Sequence, residues 1–154
     1  MAAKPRVISF ALDSHGLLIK RAHDAGSLVV QQVHTVQQAR QAAELGVDII
    51  IAQGSEAGGF GGTVAALTLI PQVVDAVRPL PVIAAGGIAD GRGLAAALLL
   101  GAEGINIGTR FLATQEAPIS PAWKQMIVQA KSEDAVKVDV WNDIMPVPGR
   151  GGYG

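Results

Sequence analysis

The stretch PVIAAGGIADG, residues 81–91, is the part of the chain that decides the fold. Its apolar run is typical of a buried strand, and Asp90 follows where a helix N-cap is expected. A strand joined to a helix by a tight glycine turn is the start of a parallel βα unit. The glycine amides either bind a phosphate at the helix N-terminus or only shape the turn, and the local residues favour neither.

The same alternation of apolar runs and helical patterns extends along the chain. The predicted strands are Val7–Leu12, Ser27–Val33, Asp48–Ala52, Pro81–Ala85 and Gly104–Ile107. Their continuous apolar character predicts a parallel sheet that is covered on both faces. We therefore predict an α/β fold, a partial (β/α)₈ barrel of about five strands, because a complete barrel needs about 250 residues. A doubly wound open sheet is the structural alternative.

Helices are predicted between these strands and after the last one. The first is expected from His15 to Ala25, with Leu17, Leu18 and Ala22 on one side, and the second from Thr35 to Leu45, with a Thr35–Gln38 capping box. The third ends near Arg78 and has Pro71 in or near its first turn, and the fourth runs from Arg92 to Leu100 and is capped by Asp90. The last begins at Ser120, and its Trp123, Met126, Ile127 and Ala130 share a packing face. The predicted barrel domain covers residues 1–131. Residues 132–154 form a predicted extension in which Val136, Val138 and Val140 alternate like an edge strand, with a poorly ordered end.

Composition excludes several classes of function. The net charge of −1 gives no electrostatic support for nucleic-acid binding. The chain has no cysteine, and its three histidines have no zinc-ligand spacing, so no metal site is predicted. The longest apolar run is too short to span a bilayer, and the first residues do not resemble a signal peptide, so a cytoplasmic location is expected.

A second glycine-rich stretch, Gln53–Gly62, follows the third predicted strand and has five glycines in ten residues. The carboxyl ends of parallel strands carry the sites of α/β proteins, and glycine lets a planar ligand approach the backbone. The interpretation as a ligand loop is somewhat favoured over that as a flexible surface loop. Glu56 within it is interpreted as a solvated carboxylate.

A third stretch, Asn106–Arg110, ends the fifth strand. By itself it is either a phosphate-binding strand end or an ordinary turn. Because the fourth and fifth strands are consecutive, however, its glycine and Gly86–Gly87 should lie at one edge of the sheet. The last two strand ends of a (β/α)₈ barrel form its usual phosphate site.

Three further polar residues lie on or after the second strand. Gln31 and Gln32 point to opposite faces, so one of them lines a ligand cavity or is a buried structural amide. His34 is interpreted as a structural or solvent-exposed histidine rather than a catalytic one.

In their order and residues, Ile51–Gly59, Pro81–Gly93 and Ile107–Leu112 resemble the nitronate monooxygenase family, formerly called 2-nitropropane dioxygenase. The resemblance covers nearly the whole chain, and flavin-dependent enoyl-ACP reductases share much of it. It implies a barrel that binds FMN and oxidises alkyl nitronates with O₂. By motif, the implied FMN-binding residues are Gln53, Gly58, Gly86, Gly87, Asn106, Ile107, Gly108 and Thr109.

Two departures from the family pattern matter. Phe60 stands where the family usually has the histidine that removes a proton from neutral nitroalkanes, so no catalytic base is assigned and activity is expected to be impaired. The first three strands of the family are missing. The open edges predict a homo-oligomer or a protein without cofactor. The alternatives are a catalytically silent half-barrel that binds a phosphate-bearing ligand or itself, and an enoyl-reductase-like flavoenzyme.

Overall fold

The computed structural model of the chain describes residues 4–11, 16–59 and 61–136. Within them, parallel strands alternate with helices, which confirms the predicted α/β fold as a partial (β/α)₈ barrel. The strands are β1 (Val7–Phe10), β2 (Leu28–Val33), β3 (Ile49–Gln53), β4 (Val82–Ala85) and β5 (Gly104–Asn106). The helices are α1 (Gly16–Asp24), α2 (Val36–Glu44), α3 (Ala66–Val77), α4 (Gly91–Leu99), α5 (Thr109–Leu112) and α6 (Pro121–Gln129), followed by a 3₁₀ helix (Ser132–Asp134).

The sheet has the order β1-β2-β3-β4-β5, so each strand pairs with the next one along the chain. All four pairings are parallel, as helical crossovers between consecutive strands require. The carboxyl ends of the five strands therefore meet at one edge of the sheet, which we call the C-terminal edge.

The two faces of the sheet are covered very differently. The outer face packs against helices and holds most of the core, as the buried side chains of Val29, Ile50 and Val82 show. The inner face holds a small cluster of Val30, Ile51 and Ala85. The prediction of strands covered on both faces is therefore wrong for much of the inner face, where Val7 is about half exposed.

Three helices begin at the side chains that sequence pattern singles out. The Thr35 hydroxyl accepts a hydrogen bond from the amide of Gln38, the Asp90 carboxylate from that of Arg92, and the Ser120 hydroxyl from that of Trp123. The predicted capping box at Thr35 is only half formed. The Gln38 side chain accepts from the amide of His34, at 2.8 Å, instead of from the amide of Thr35.

One helix prediction needs correction. In helix α1, Ile19 and Ala22 are buried, whereas Leu17 and Leu18 are exposed. The buried face of α1 is therefore not the predicted one. Pro71 lies in the second turn of α3, near the first turn, as the prediction allowed. Its missing N–H leaves the carbonyl of Leu67, an exposed residue near the helix start, without its helical donor.

The chain divides into two compact units, one ending at Gly108 and one beginning at Thr109. The first contains the sheet with α1 to α4, and the second contains α5, α6 and the 3₁₀ helix. The predicted boundary after residue 131 stays a prediction. In the second unit Trp123 and Met126 are exposed, so the predicted packing role of these two side chains is wrong for the described residues.

Several predictions lie outside the described residues, namely those on His15, Phe60, Val138 and Val140. No helix among the described residues has the length and apolar character needed to cross a membrane. The predicted self-association stays a prediction, although Leu98 and Leu99 on α4 are exposed, the latter by 89%.

Candidate functional site at the C-terminal edge

Three residues form a row across the inner face at the C-terminal edge. Gln53 on β3 is in register with Ala85 on β4, and Ala85 is in register with Asn106 on β5. Residues in register on neighbouring strands project from the same face. Two side-chain amides thus lie on either side of one small, buried residue at this edge.

The turn after β4 depends on glycine. Gly86 and Gly87 have φ angles of 104° and 68°, which other residues rarely adopt. A Cβ atom on Gly86 would lie 3.1 Å from the amide nitrogen of Ala57, so the turn also packs closely against the glycine-rich loop. These two constraints establish the tight βα turn, and phosphate binding by its amides stays a prediction.

Asp90, which follows this turn, is held in its ionised form. Hydrogen bonds from the Arg92 side chain and from the Arg92 amide lower the pKa of Asp90 to about 2. The carboxylate therefore remains a cap for α4 throughout the neutral and mildly acidic range.

The glycine-rich loop is anchored rather than free. The amide of Gly54 donates to the carbonyl of Ala85 at 2.9 Å, and the amide of Ser55 donates to the carbonyl of Val64 at 2.8 Å. A Cβ atom on Gly54 would lie only 2.5 Å from the Cβ of Ala66. The interpretation as a flexible surface loop is therefore wrong at its first residues, because only glycine fits between the sheet and the start of α3.

Glu56 fastens the same loop to α3. Both of its carboxylate oxygens accept from the amide of Ala66, at 3.1 and 3.0 Å, and this amide is otherwise unsatisfied at the helix N-terminus. The side chain is exposed, as expected, but it is not merely solvated. It is the cap that Ala65, at the N-cap position, cannot provide.

The inner face also carries a pair of amides. The Gln32 Nε2 group donates to Gln53 Oε1 at 2.8 Å, and Gln53 is 8% exposed. Gln53 Nε2 lies 3.5 Å from the carbonyl of Gly58 in the glycine-rich loop. Gln31, on the outer face, is 4% exposed and donates to the carbonyl of Phe10 at 3.3 Å, so the interpretation as a buried structural amide applies to Gln31, and a ligand cavity at Gln32 stays a prediction.

His34 is a structural residue in this arrangement. It is 4% exposed, and a Cβ atom on Gly62 would lie 2.6 Å from the His34 Cβ. The end of the glycine-rich loop therefore packs directly onto it. The prediction of a structural histidine agrees with this burial, and the solvent-exposed alternative does not.

The strand end after β5 is more open. A Cβ atom on Gly108 would meet nothing within 4 Å, and Asn106 is exposed. Among residues 4–11, 16–59 and 61–136, no hydrogen-bond acceptor is found for the amides of Gly86, Gly87 and Gly108. Thr109 begins α5 and belongs to the second unit, and Phe60 is outside the described part of the chain.

Comparison with known proteins places this arrangement in a family. The family model described as nitronate monooxygenase matches residues 1–145. The chain belongs to the nitronate monooxygenase family. Within the described part of the chain, no group of three or more metal-ligating side chains occurs.

Relatives of the chain carry different names. A Mycobacterium tuberculosis protein named (3aS,4S,5R,7aS)-5-hydroxy-7a-methyl-1-oxo-octahydro-1H-indene-4-carboxyl-CoA dehydrogenase is 47% identical over 133 residues, which are 85% of this chain and 38% of that protein. Among solved structures, FabK from Thermotoga maritima matches with a TM-score of 0.81 and 42% identity, over 84% of this chain and 42% of that one. A nitroalkane oxidase from Streptomyces ansochromogenes matches with a TM-score of 0.73 and 38% identity, over 77% of this chain and 38% of that one.

This chain thus spans about two-fifths of the length of these relatives. The residues that are present suit the FMN that the family resemblance implies. The amides of Gly86, Gly87 and Gly108, which have no acceptor among the described residues, suit a phosphate, while the side-chain amides of Gln53 and Asn106 suit a polar ring.

Sequence reasoning missed two features of the site. One is the cap that Glu56 gives to α3. The sequence does contain a signal for it, since Glu56 precedes Ala66 by ten residues and Ala65 has no side chain that could cap the helix. The other is the hydrogen bond between Gln32 and Gln53, which joins residues 21 positions apart and depends on strand register, so it had no local signal.

Proposed function

We propose that this protein is an FMN-dependent nitronate monooxygenase that oxidises alkyl nitronates with O₂. The observation that carries the proposal is the register of Gln53, Ala85 and Asn106, with Gly86 and Gly87 directly after Ala85 and Gly108 two residues after Asn106. Membership of the family and the similarity to a nitroalkane oxidase support it.

The phosphate would be held by Gly86, Gly87 and the run Asn106–Gly108, and the contribution of Thr109 stays a prediction. Their backbone amides donate hydrogen bonds without adding charge, which suits an anion at a parallel strand end. Gln53 and Gly58 would contact the flavin ring. FMN supplies the electron acceptor and the reactivity with O₂, while the protein orients the ring and limits the access of water.

Phe60 determines which substrate form is oxidised. A phenylalanine cannot accept a proton, so the carbon-bound proton of a neutral nitroalkane stays in place. A nitronate has already lost this proton. The protein should therefore oxidise nitronates and be slow with the parent nitroalkanes.

Oxygen uptake by the FMN-loaded full chain tests this directly. We expect turnover of an alkyl nitronate and little with its parent nitroalkane. The variant Phe60→His should raise nitroalkane turnover by about 100-fold, the typical contribution of a general base. Phe60→Leu, which also lacks a base, is the matched control. Comparable wild-type turnover of both substrates would refute the assignment of Phe60, and a chain that stays colourless with added FMN would refute the function and support a silent half-barrel.

The carboxyl-CoA dehydrogenase relative and the likeness to FabK favour a second candidate, a flavoenzyme acting on CoA-linked or related acyl substrates. The enoyl-reductase-like alternative is one form of this second candidate. Bleaching of the bound flavin by NAD(P)H or by an acyl-CoA under anaerobic conditions, without nitronate turnover, would select this candidate.

A further inference from the structure

The inner face contains a chain of amide contacts that runs from β2 to the glycine-rich loop. Gln32 Nε2 donates to Gln53 Oε1 at 2.8 Å, and Gln53 Nε2 faces the carbonyl of Gly58 at 3.5 Å. We propose that Gln32 is a positioning residue that fixes the amide orientation of Gln53, so that Gln53 presents a hydrogen-bond donor to the ligand. The inference rests on the proposed function, in which that ligand is FMN.

The polarity follows from two partners of the Gln53 amide, namely the Gln32 Nε2 donor and the Gly58 carbonyl, which can only accept. A side-chain amide has one acceptor oxygen and one NH₂ donor, and rotation by 180° exchanges them. Because the Gln53 oxygen accepts from Gln32, the NH₂ group of Gln53 lies on the other side, toward Gly58.

The contact of Gln53 with Gly58 leaves donor capacity unused. At 3.5 Å it is long for a hydrogen bond, and the NH₂ group has a second proton. Gln53 is 8% exposed, so little water is available to satisfy this donor. A ligand acceptor beside the glycine-rich loop would satisfy it.

The expected ligand atom is therefore an acceptor of the isoalloxazine ring, one of its carbonyl oxygens or unprotonated nitrogens, and not the ring N–H donor. Hydrogen bonds to these atoms tune the electronics of a bound flavin. Gln32 itself need not touch FMN, so its substitution should change binding and spectrum through Gln53 alone.

Two variants of Gln32 separate orientation from packing. Gln32→Glu keeps the size but can only accept, so it should turn the Gln53 amide and present its oxygen to the ligand. Gln32→Met keeps the length and removes the constraint. In titrations of the full chain with FMN, we expect Kd to rise about 10-fold for Gln32→Glu and about 3-fold for Gln32→Met, in line with the loss of one hydrogen bond.

Matched controls are Gln37→Glu and Gln37→Met on the exposed surface of α2, which should leave Kd and the visible spectrum of bound FMN unchanged. A wild-type chain that binds FMN together with Gln32 variants that bind it equally well, with the same spectrum, would overturn the positioning role. The proposed function would stand in that case.

A second measurement does not need flavin. In NMR spectra of the ¹⁵N-labelled full chain, the side-chain NH₂ resonances of Gln53 should shift in Gln32→Glu and should not shift in Gln37→Glu. If the wild type takes up no FMN, the proposed function fails, and the NMR comparison still decides the orientation. Unchanged Gln53 resonances in both Gln32 variants would overturn the inference.

Discussion

The outer and inner faces of the sheet use the same strands for different purposes. Alternate residues of β3 show this most clearly, since Ile50 and Ala52 are fully buried under the helices, whereas Ile51 and Gln53 face the small inner cluster and the candidate site. The outer face holds the larger apolar core, and the inner face holds the amides and the glycine turns. The larger part of the apolar core therefore lies on one face and the candidate site on the other.

The comparison also explains the polar residues of the inner face. A glutamine in the outer core must satisfy its amide within the protein, as Gln31 does with the carbonyl of Phe10. On the inner face, Gln32 and Gln53 bond to each other, and the remaining donor of Gln53 has only a long contact of 3.5 Å with the carbonyl of Gly58. A polar side chain on the less covered face can thus serve binding without a large cost in folding.

The largest expected effect comes from truncating each face in turn. Ile50→Ala should reduce the free energy of unfolding by about 4 kcal/mol, and Ile51→Ala by about 2 kcal/mol. The second loss is smaller because Ile51 belongs to the small inner cluster and its side chain has fewer apolar contacts to lose. Urea denaturation of the two variants measures the difference. Equal losses would mean that the inner face contributes as much to stability as the outer one.

The next effect concerns the junction between the sheet and α3. Gly54→Ala should cost about 2 kcal/mol and weaken FMN binding, because the new Cβ would lie 2.5 Å from the Ala66 Cβ and 2.6 Å from its Cα. Gly91→Ala is the control, since a Cβ there meets nothing within 4 Å. Thermal unfolding and flavin titration of both variants would show whether the loop is as tightly placed as the contacts indicate.

A smaller effect is expected at the carboxylate that caps α3. Glu56→Ala should lower the free energy of unfolding by about 1 kcal/mol, the usual value of a helix cap, and should loosen the glycine-rich loop. Glu44→Ala removes a carboxylate from the last turn of α2, where none of the described contacts uses it, and serves as the control. Hydrogen exchange at the amide of Ala66 should become faster only in the Glu56 variant.

The smallest effect lies at the opposite end of β3. Burial raises the pKa of Asp48, but the hydrogen bonds from the amide of Val29 and from His23 outweigh it, so the pKa is lowered below the ordinary value of 3.8. A lowered folded-state pKa stabilises the fold above the ordinary value, and this contribution is lost as the pH falls through the folded-state pKa.

Wild type should therefore lose more stability than Asp48→Asn on acidification from about pH 5 to about pH 3. Urea midpoints at the two pH values measure the loss. Identical losses would show that the bonds of Asp48 do not favour its ionised form.

Local sequence determined much of the fold. The apolar runs placed the five strands within one or two residues, and Thr35, Asp90 and Ser120 marked helix starts because their side chains satisfy backbone amides only a few residues away. The face of α1 was predicted wrongly, because Ile19 and neighbouring leucines are equally apolar and only packing selects among them.

The candidate site divides in the same way. Its glycines could be read from the sequence, because parallel strands that follow one another must end at one edge. Which glycines have no room for a side chain was decided by contacts between Gly54 and α3 and between Gly86 and Ala57.

The sequence alone thus determined the order of strands, the edge at which the site lies and the residue types available there, since these depend on local propensity and chain direction. Only the tertiary structure decided the register that aligns Gln53 with Asn106 through Ala85, the partner of Gln32 and the cap from Glu56. Each of these joins residues that are distant along the chain, and their relative positions are set by packing and not by local preference.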